Sequence, residues 1–186
     1  MLKQKIFLLV FSLLCAVHIF QVEKVEAKML LRKELEPTGY VTWEVPNNEK
    51  IIAITFDDGP DLEFTPKILD KLKQHNVKAT FFLLGENAEK FPNIVKRIAN
   101  EGHVIGNHTY SHPNLAKVNE DEYRNQIIKT EEILNRLAGY APKFIRPPYG
   151  EILENQLKWA TEQNFMIVQW SVDTVDWKGV SADTIT

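Results

Sequence analysis

Short apolar runs alternate with amphipathic segments along most of this chain, beginning at Ile51. The apolar runs have the length of strands, and the segments between them repeat apolar side chains at helical spacing. The predicted strands cover residues 51–56, 79–84, 104–105, 144–145 and 165–170. This alternation of strands and helices predicts an α/β fold with a mostly parallel sheet or barrel.

Helix-capping residues mark the predicted helices between these strands. We expect Thr65 to cap the first helix, with Pro66 at its first position. The longest helix is predicted to begin after Asn119 and to extend as far as Gly139. The two remaining helices are predicted near residues 92–100 and 151–163.

The amino terminus has the three-part layout of a secretory signal. Lys3 and Lys5 precede an apolar run over residues 6–20, and small or branched residues lead up to Ala27. We therefore expect residues 1–27 to be a signal peptide and the mature protein to be secreted or associated with the cell wall. A membrane span needs about 20 apolar residues, so an uncleaved anchor is the second interpretation, and no stable span is expected after cleavage. Residues 28–50 form a polar lead-in.

The composition is that of one globular domain: 186 residues, 44% of them hydrophobic and 25% charged. The net charge is −3 and no basic block stands out, which argues against a nucleic-acid partner. Cys15 is the only cysteine and would leave with the signal peptide. The mature protein is therefore expected to fold without disulfide bonds.

Candidate chemistry begins at residues 55–60, T-F-D-D-G-P, where Asp57 and Asp58 end an apolar run. His108 and His112 follow at a spacing of four, which can place both on one side of a helical turn. Pro113 would end that turn at His112, which suits a ligand pair carried by a loop. Each pair is weak by itself, because an Asp-Asp pair is more often a turn or cap and most such histidine pairs bind no metal. Two imidazoles and one carboxylate together would form an open tetrahedral zinc site, with one carboxylate left as a base.

Two further segments follow predicted strands. Residues 146–150, R-P-P-Y-G, form either a plain turn or a rigid loop in which the Tyr149 amide faces an oxyanion. Residues 173–177, D-T-V-D-W, form either an acidic surface turn with a half-buried tryptophan or part of a site. All four segments lie at or just beyond carboxyl ends of predicted strands, which in a parallel barrel is the rim where active sites are assembled.

The four segments resemble, in order, the first four signature motifs of the polysaccharide deacetylases, the NodB-homology enzymes of carbohydrate esterase family four. Those motifs are T-F-D-D-G-P, H-S/T-x-x-H, R-x-P-Y-G/A and D-x-x-D-W, and the resemblance covers about residues 51–177. It implies a distorted parallel (β/α) barrel, with residues 51–186 as the catalytic domain. It also implies metal-dependent hydrolysis of N-acetyl groups from an N-acetylated glycan, either peptidoglycan N-acetylglucosamine or a chitin-like oligomer.

The resemblance assigns roles to the residues of the first three motifs. Asp57 would be the general base, paired with Arg146. Asp58, His108 and His112 would hold a divalent metal, usually zinc.

The remaining roles concern the substrate and the leaving group. The Tyr149 amide would bind the oxyanion, and Tyr149 and Trp177 would line the sugar pocket. Asp176 would orient a general-acid histidine in the family's fifth motif, but no histidine follows the fourth motif in this chain.

We therefore expect a truncated barrel that lacks its last strand or strands. The alternatives are a non-catalytic remnant that binds metal and glycan, and a deacylase of another amide or ester.

Overall fold

The computed structural model describes residues 32–185, so the predicted signal peptide lies outside the described residues. Its centre is a sheet of six strands in the order β1-β6-β5-β4-β3-β2, and every neighbouring pair is parallel. The strands are β1 (Val41–Thr42), β2 (Thr55–Gly59), β3 (Thr80–Leu83), β4 (Val104–Asn107), β5 (Phe144–Ile145) and β6 (Met166–Val168). The predicted α/β class with a parallel sheet is confirmed.

Helices connect the strands, as a parallel sheet requires. They are α1 (Arg32–Leu35), α2 (Phe64–Gln74), α3 (Gly85–Lys90), α4 (Pro92–Asn100), α5 (Glu120–Ala138), α6 (Glu154–Glu162) and α7 (Ala182–Ile185). No helix within residues 32–185 has the length and apolarity needed to cross a membrane.

The predicted start and end of α5 are confirmed. The Asn119 side chain accepts a hydrogen bond from the Glu122 N–H, and Gly139 ends the helix with a φ of 82°. Helix α3 is not among the predicted helices; it begins at Gly85, directly after the predicted strand over residues 79–84.

The predicted cap of α2 is wrong. Thr65 lies inside the helix, whose first N–H groups donate instead to Asp61, at 2.7 Å from Glu63 and 2.6 Å from Phe64. The Thr65 hydroxyl donates to the same carboxylate at 2.8 Å. An aspartate with two acceptor oxygens satisfies several unpaired donors at once, which one threonine hydroxyl cannot do.

The predicted polar lead-in contributes to the folded domain. Val41 and Thr42 form an edge strand in register with Ile167 and Val168 of β6. Leu35 and Val41 are 2% and 3% exposed and belong to the core beneath that edge. A strand of two residues is too short to show alternation in the sequence, which is why the pattern did not predict it.

The sheet curls as a barrel wall does. Arg146 directly follows β5, yet its guanidinium donates to the Thr55 hydroxyl of β2 at 2.7 Å. Three strand spacings of about 4.8 Å separate β5 from β2 in a flat sheet, on the order of 14 Å, which exceeds the reach of an arginine side chain. Within residues 32–185, no strand pairing joins β1 to β2. The expectation of further strands stays a prediction.

Candidate active site and metal centre

An irregularity at the end of β2 brings two adjacent carboxylates to the same rim. Adjacent residues of a regular strand point to opposite faces, so Asp57 and Asp58 would normally diverge. Here the register with β3 shifts between Phe56 and Gly59, and Asp58 takes a left-handed φ of 66°. Aspartate tolerates this conformation better than most residues. As a result, Asp57 reaches Arg146 while Asp58 reaches the histidines.

Asp58, His108 and His112 form a group with the spacing of metal ligands. The Asp58 Oδ1 lies 3.4 Å from the Nε2 of each histidine, and the three ligand atoms all lie within 4.8 Å of one another. A tetrahedral ion with bonds of about 2.1 Å separates its ligand atoms by about 3.4 Å. The donor set and its spacing therefore fit a divalent metal with a further position open.

The backbone of the third motif fixes the tautomer of His108. This histidine is 3% exposed, and its Nδ1 lies 2.7 Å from the Arg146 carbonyl oxygen. A carbonyl only accepts, so Nδ1 carries a proton, and Nε2 is the ring nitrogen that faces Asp58. Such a second bond is typical of metal-binding histidines, because it sets ring orientation and ligand basicity.

A loop carries the two histidines, as Pro113 directly after His112 suggests, and residues 108–112 contain no helical turn. Thr109 and His112 have left-handed φ angles of 73° and 59°. Side chains replace the helical hydrogen bonds, since Asn107 accepts from the Thr109 N–H and the Thr109 hydroxyl accepts from the His112 N–H. The loop still brings the two imidazoles together, with ring centroids 5.0 Å apart.

The electrostatic environment favours the protonation states that a metal needs. The hydrogen bond from His108 lowers the pKa of Asp58, and the charges of both histidines act in the same direction. Burial lowers the pKa of His112, as does the neighbouring His108. The site therefore favours an anionic Asp58 beside a neutral His112, which is the state in which each of these two groups binds a metal.

Arg146 holds the remaining carboxylate. Its guanidinium donates to the Asp57 Oδ1 at 2.7 Å, and to the carbonyl oxygens of Val168 and Gln169 at 3.2 and 3.0 Å. Arg146 is 3% exposed, and burial lowers its pKa despite the opposing effect of Asp57. The predicted pairing of Arg146 with Asp57 agrees with this geometry.

Tyr149 lies beside the metal-ligand candidate His112, whereas Asp176 and Trp177 contact residues of their own loop. Tyr149 has a left-handed φ of 59°, and its ring lies 4.9 Å from that of His112. Trp177 is 72% exposed and lies against Lys178. Asp176 accepts a hydrogen bond from the Thr174 hydroxyl at 2.8 Å. The roles of Asp176 and Trp177 stay predictions.

Two residues at this rim were given no role from the sequence. Thr55 lies two positions before Asp57, and strand periodicity puts both on one face, so the signal was available. Gln169 is 5% exposed and donates to the Gly150 carbonyl at 2.9 Å, next to Tyr149. No local sequence pattern marks Gln169.

Comparison with known proteins identifies the family and the relatives that this chain resembles. A family model described as "Polysaccharide deacetylase" matches residues 44–168. A "Peptidoglycan-N-acetylglucosamine deacetylase" of Bacillus cereus is 96% identical over 141 residues, which are 76% of this chain. The chain spans 51% of that relative's length.

Solved structures share the fold. A crystal structure of a peptidoglycan N-acetylglucosamine deacetylase in complex with 4-naphthalen-1-yl-N-oxidanyl-benzamide has a TM-score of 0.80 and 89% identity. The alignment covers 81% of this chain and 71% of the chain in that crystal structure. The crystal structure of a wild-type CE4 family pseudoenzyme from Bacillus anthracis aligns with a TM-score of 0.74 and 31% sequence identity. That alignment covers 79% of this chain and 52% of the pseudoenzyme chain.

Replacing Thr55 by valine tests the buried arginine network. We expect Thr55→Val to lower the free energy of unfolding by about 1–3 kcal/mol, because a guanidinium N–H loses an acceptor without a change of shape. Thr80 is the matched control: it faces Thr55 in the β2–β3 register, and its hydroxyl has no hydrogen-bond partner among the described residues. Thr80→Val should change stability by less than about 0.5 kcal/mol in urea unfolding. Equal effects of the two variants would contradict the network.

Proposed function

The chain belongs to the polysaccharide deacetylase family, and we propose that it hydrolyses N-acetyl groups of an envelope polysaccharide, with peptidoglycan N-acetylglucosamine as the substrate. One observation carries the proposal: a metal-ligand triad and an arginine-paired carboxylate share the same rim. The name of the 96%-identical relative supports the choice of polymer. A chitin-like oligomer is the second substrate class to test.

Asp58, His108 and His112 are proposed to hold the metal, and zinc is the ion we propose. Two imidazole nitrogens and one carboxylate with tetrahedral spacing make a donor set that suits zinc. When bound, the ion would supply Lewis-acid chemistry to the acetamide and its attacking water. The Asp58 side chain is 65% exposed, which leaves this side of the triad open to solvent and substrate.

Asp57 is proposed as the general base. Arg146 holds its Oδ1 at 2.7 Å, and the Asp57 side chain is 31% exposed, so water can reach the carboxylate. A water that attacks the acetamide carbonyl would pass its proton to the second oxygen of Asp57. The arginine fixes the carboxylate in orientation, and the open side of the rim admits the substrate.

The turn after β5 is proposed to stabilise the negative charge that develops on the acetamide oxygen. The left-handed φ of Tyr149 redirects its backbone beside His112, where an amide N–H would stand near the reacting carbonyl. Its ring is 63% exposed and offers an apolar face to a sugar. Trp177 is proposed as a second such face, and Asp176 as a residue that orients the leaving-group acid.

A second candidate is a protein that binds metal and glycan without turnover. One observation favours it: among the described residues 32–185, His103 is the buried histidine outside the triad, and it is occupied in accepting the Ala79 N–H at 3.2 Å. General-acid catalysis contributes about 10²- to 10⁴-fold in rate. The pseudoenzyme noted above has a similar fold, so a protein of this fold without catalytic activity would have a precedent.

We further propose that the protein is exported and cleaved after Ala27, because residues 1–27 have the layout of a signal peptide. Sequencing the amino terminus of protein recovered outside the cells tests this. Lys28 is expected as the first residue, and an intact Met1 would contradict cleavage.

Acetate release tests the main proposal. The full chain is incubated with peptidoglycan and with acetylated glucosamine oligomers, with and without Zn²⁺, and acetate is measured enzymatically. We expect zinc-dependent release that falls at least about 100-fold in Asp57→Asn, because the base is lost while the shape is kept. Asp121→Asn, on the exposed surface of α5, is the matched control and should release acetate at the parent rate.

The same acetate measurements can also contradict the proposed deacetylase activity. Folded protein that binds zinc but releases no acetate from any of these polymers would overturn the deacetylase and favour binding without turnover. Release from small acetyl esters alone would indicate a deacylase of another class.

A further inference from the structure

Helix α5 contacts the loop that carries the two metal-ligand histidines through Lys129, which lies over the Tyr110 ring, and holds the loop backbone through the side chain of Gln126. The Gln126 Oε1 accepts the backbone N–H groups of Tyr110 and Ser111, at 2.8 and 2.9 Å. Its Nε2 donates to the Ser111 hydroxyl at 2.9 Å and to the Glu122 Oε1 at 2.8 Å. One carboxamide therefore binds two of the three residues between His108 and His112.

Gln126 is well suited to hold this loop rigidly. It is 5% exposed, and all four of its hydrogen-bonding positions are used. Helix α3 holds two carbonyls of the loop, since the Gly85 and Glu86 N–H groups donate to Thr109 and Tyr110 at 2.9 and 3.0 Å. Gln126 holds the N–H groups of Tyr110 and Ser111, and so the part of the loop next to His112. Helix α5 extends over residues 120–138 and provides a firm base for that support.

The two histidines differ in how they are held. His108 is buried and has its own hydrogen bond to the Arg146 carbonyl. His112 is tied by its N–H to the Thr109 hydroxyl, and its ring lies against that of Tyr149. The path of the chain into His112 passes directly through the two residues that Gln126 holds, so His112 depends on Gln126 more than His108 does.

We propose that Gln126 is a positioning residue of the metal centre: it sets the place of His112 relative to Asp58 and His108, and so the affinity for the ion. The inference rests on the metal centre proposed above. Second-layer partners of metal ligands typically contribute about 10- to 100-fold in affinity. Beside Glu122 a carboxamide is required, because the side chain must accept from two N–H groups and also donate to that carboxylate.

A merely structural role is the competing explanation, and the chain offers a matched control for it. Gln156 is also a buried glutamine that holds backbone, with 1% exposure. It donates to the Leu115 carbonyl at 2.7 Å and accepts from the Leu153 N–H at 3.0 Å. Neither partner lies between the two histidines.

The experiment measures metal affinity without using activity. The full chain is titrated with Zn²⁺ in competition with a chromophoric chelator, and with Co²⁺ while its visible absorption bands are recorded. Gln126→Met is expected to weaken Zn²⁺ binding about 10- to 100-fold and to alter the Co²⁺ bands. Gln156→Met should bind Zn²⁺ with an affinity within about twofold of the parent's. This should hold even if Gln156→Met lowers the unfolding temperature as much as Gln126→Met does.

A charge-swapped pair keeps the test decisive if Gln126→Met folds poorly. Gln126→Glu alone places two carboxylates in contact and should weaken zinc binding. Combining it with Glu122→Gln restores a donor opposite an acceptor, and the Ser111 hydroxyl can rotate to donate. The double variant is therefore expected to regain most of the lost affinity, which a general loss of stability would not explain.

The outcomes separate this inference from the metal centre itself. No zinc binding by the parent, or equal binding by Asp58→Asn, overturns the metal centre and the inference together. Zinc binding by the parent with equal affinities in Gln126→Met and Gln156→Met overturns the positioning role and leaves the metal centre standing. Failure of the swap to recover affinity also counts against the role.

Discussion

The buried guanidinium of Arg146 joins strand ends that the sheet alone keeps apart. It bonds Thr55 and Asp57 of β2 and the carbonyls of Val168 and Gln169 at the end of β6, while its own carbonyl accepts from His108 after β4. Burying a charge is costly unless it is paired and hydrogen-bonded, and here Asp57 pairs with the guanidinium, whose three nitrogens each donate a hydrogen bond. One residue therefore positions the base and orients a metal ligand.

This arrangement explains why the rim tolerates so much unusual backbone. Asp58, Thr109, His112 and Tyr149 all have left-handed φ angles although none is glycine. Such conformations are disfavoured and persist where the surroundings fix them. At this rim the fixing groups are side chains that bond backbone, so the polar network and the strained backbone depend on each other.

Much of the site was predictable because its chemistry is local in sequence. The T-F-D-D-G-P segment, the histidine pair and R-P-P-Y-G each lie in a few consecutive residues, and a parallel sheet brings strand ends together. The shared rim position of Asp57 and Asp58 was not predictable from periodicity, which places adjacent strand residues on opposite faces. The side chain that holds the loop between the two histidines was not predictable either, because Gln126 acts on it through tertiary contacts.

Contacts between residues that are far apart in the chain were still harder to predict from the sequence. Gln126 acts on residues 15 and 16 positions earlier in the chain, and β1 joins a strand more than 120 residues away. Neither relationship has a periodic signal in one sequence. The described residues nevertheless bring the triad, the base and its arginine into one rim, and these are the parts that the proposed chemistry needs first.

The most direct test of this account replaces Arg146 by lysine and measures two properties of the same sample. Lysine keeps the charge but cannot reproduce the planar fork that reaches both strands. The account predicts that acetate release and Co²⁺ affinity both fall, the affinity by about tenfold, because the turn that orients His108 loosens with the guanidinium contacts. Lost activity with unchanged Co²⁺ affinity and spectrum would show that Arg146 serves Asp57 alone, and would contradict the claim that it unites the two halves of the site.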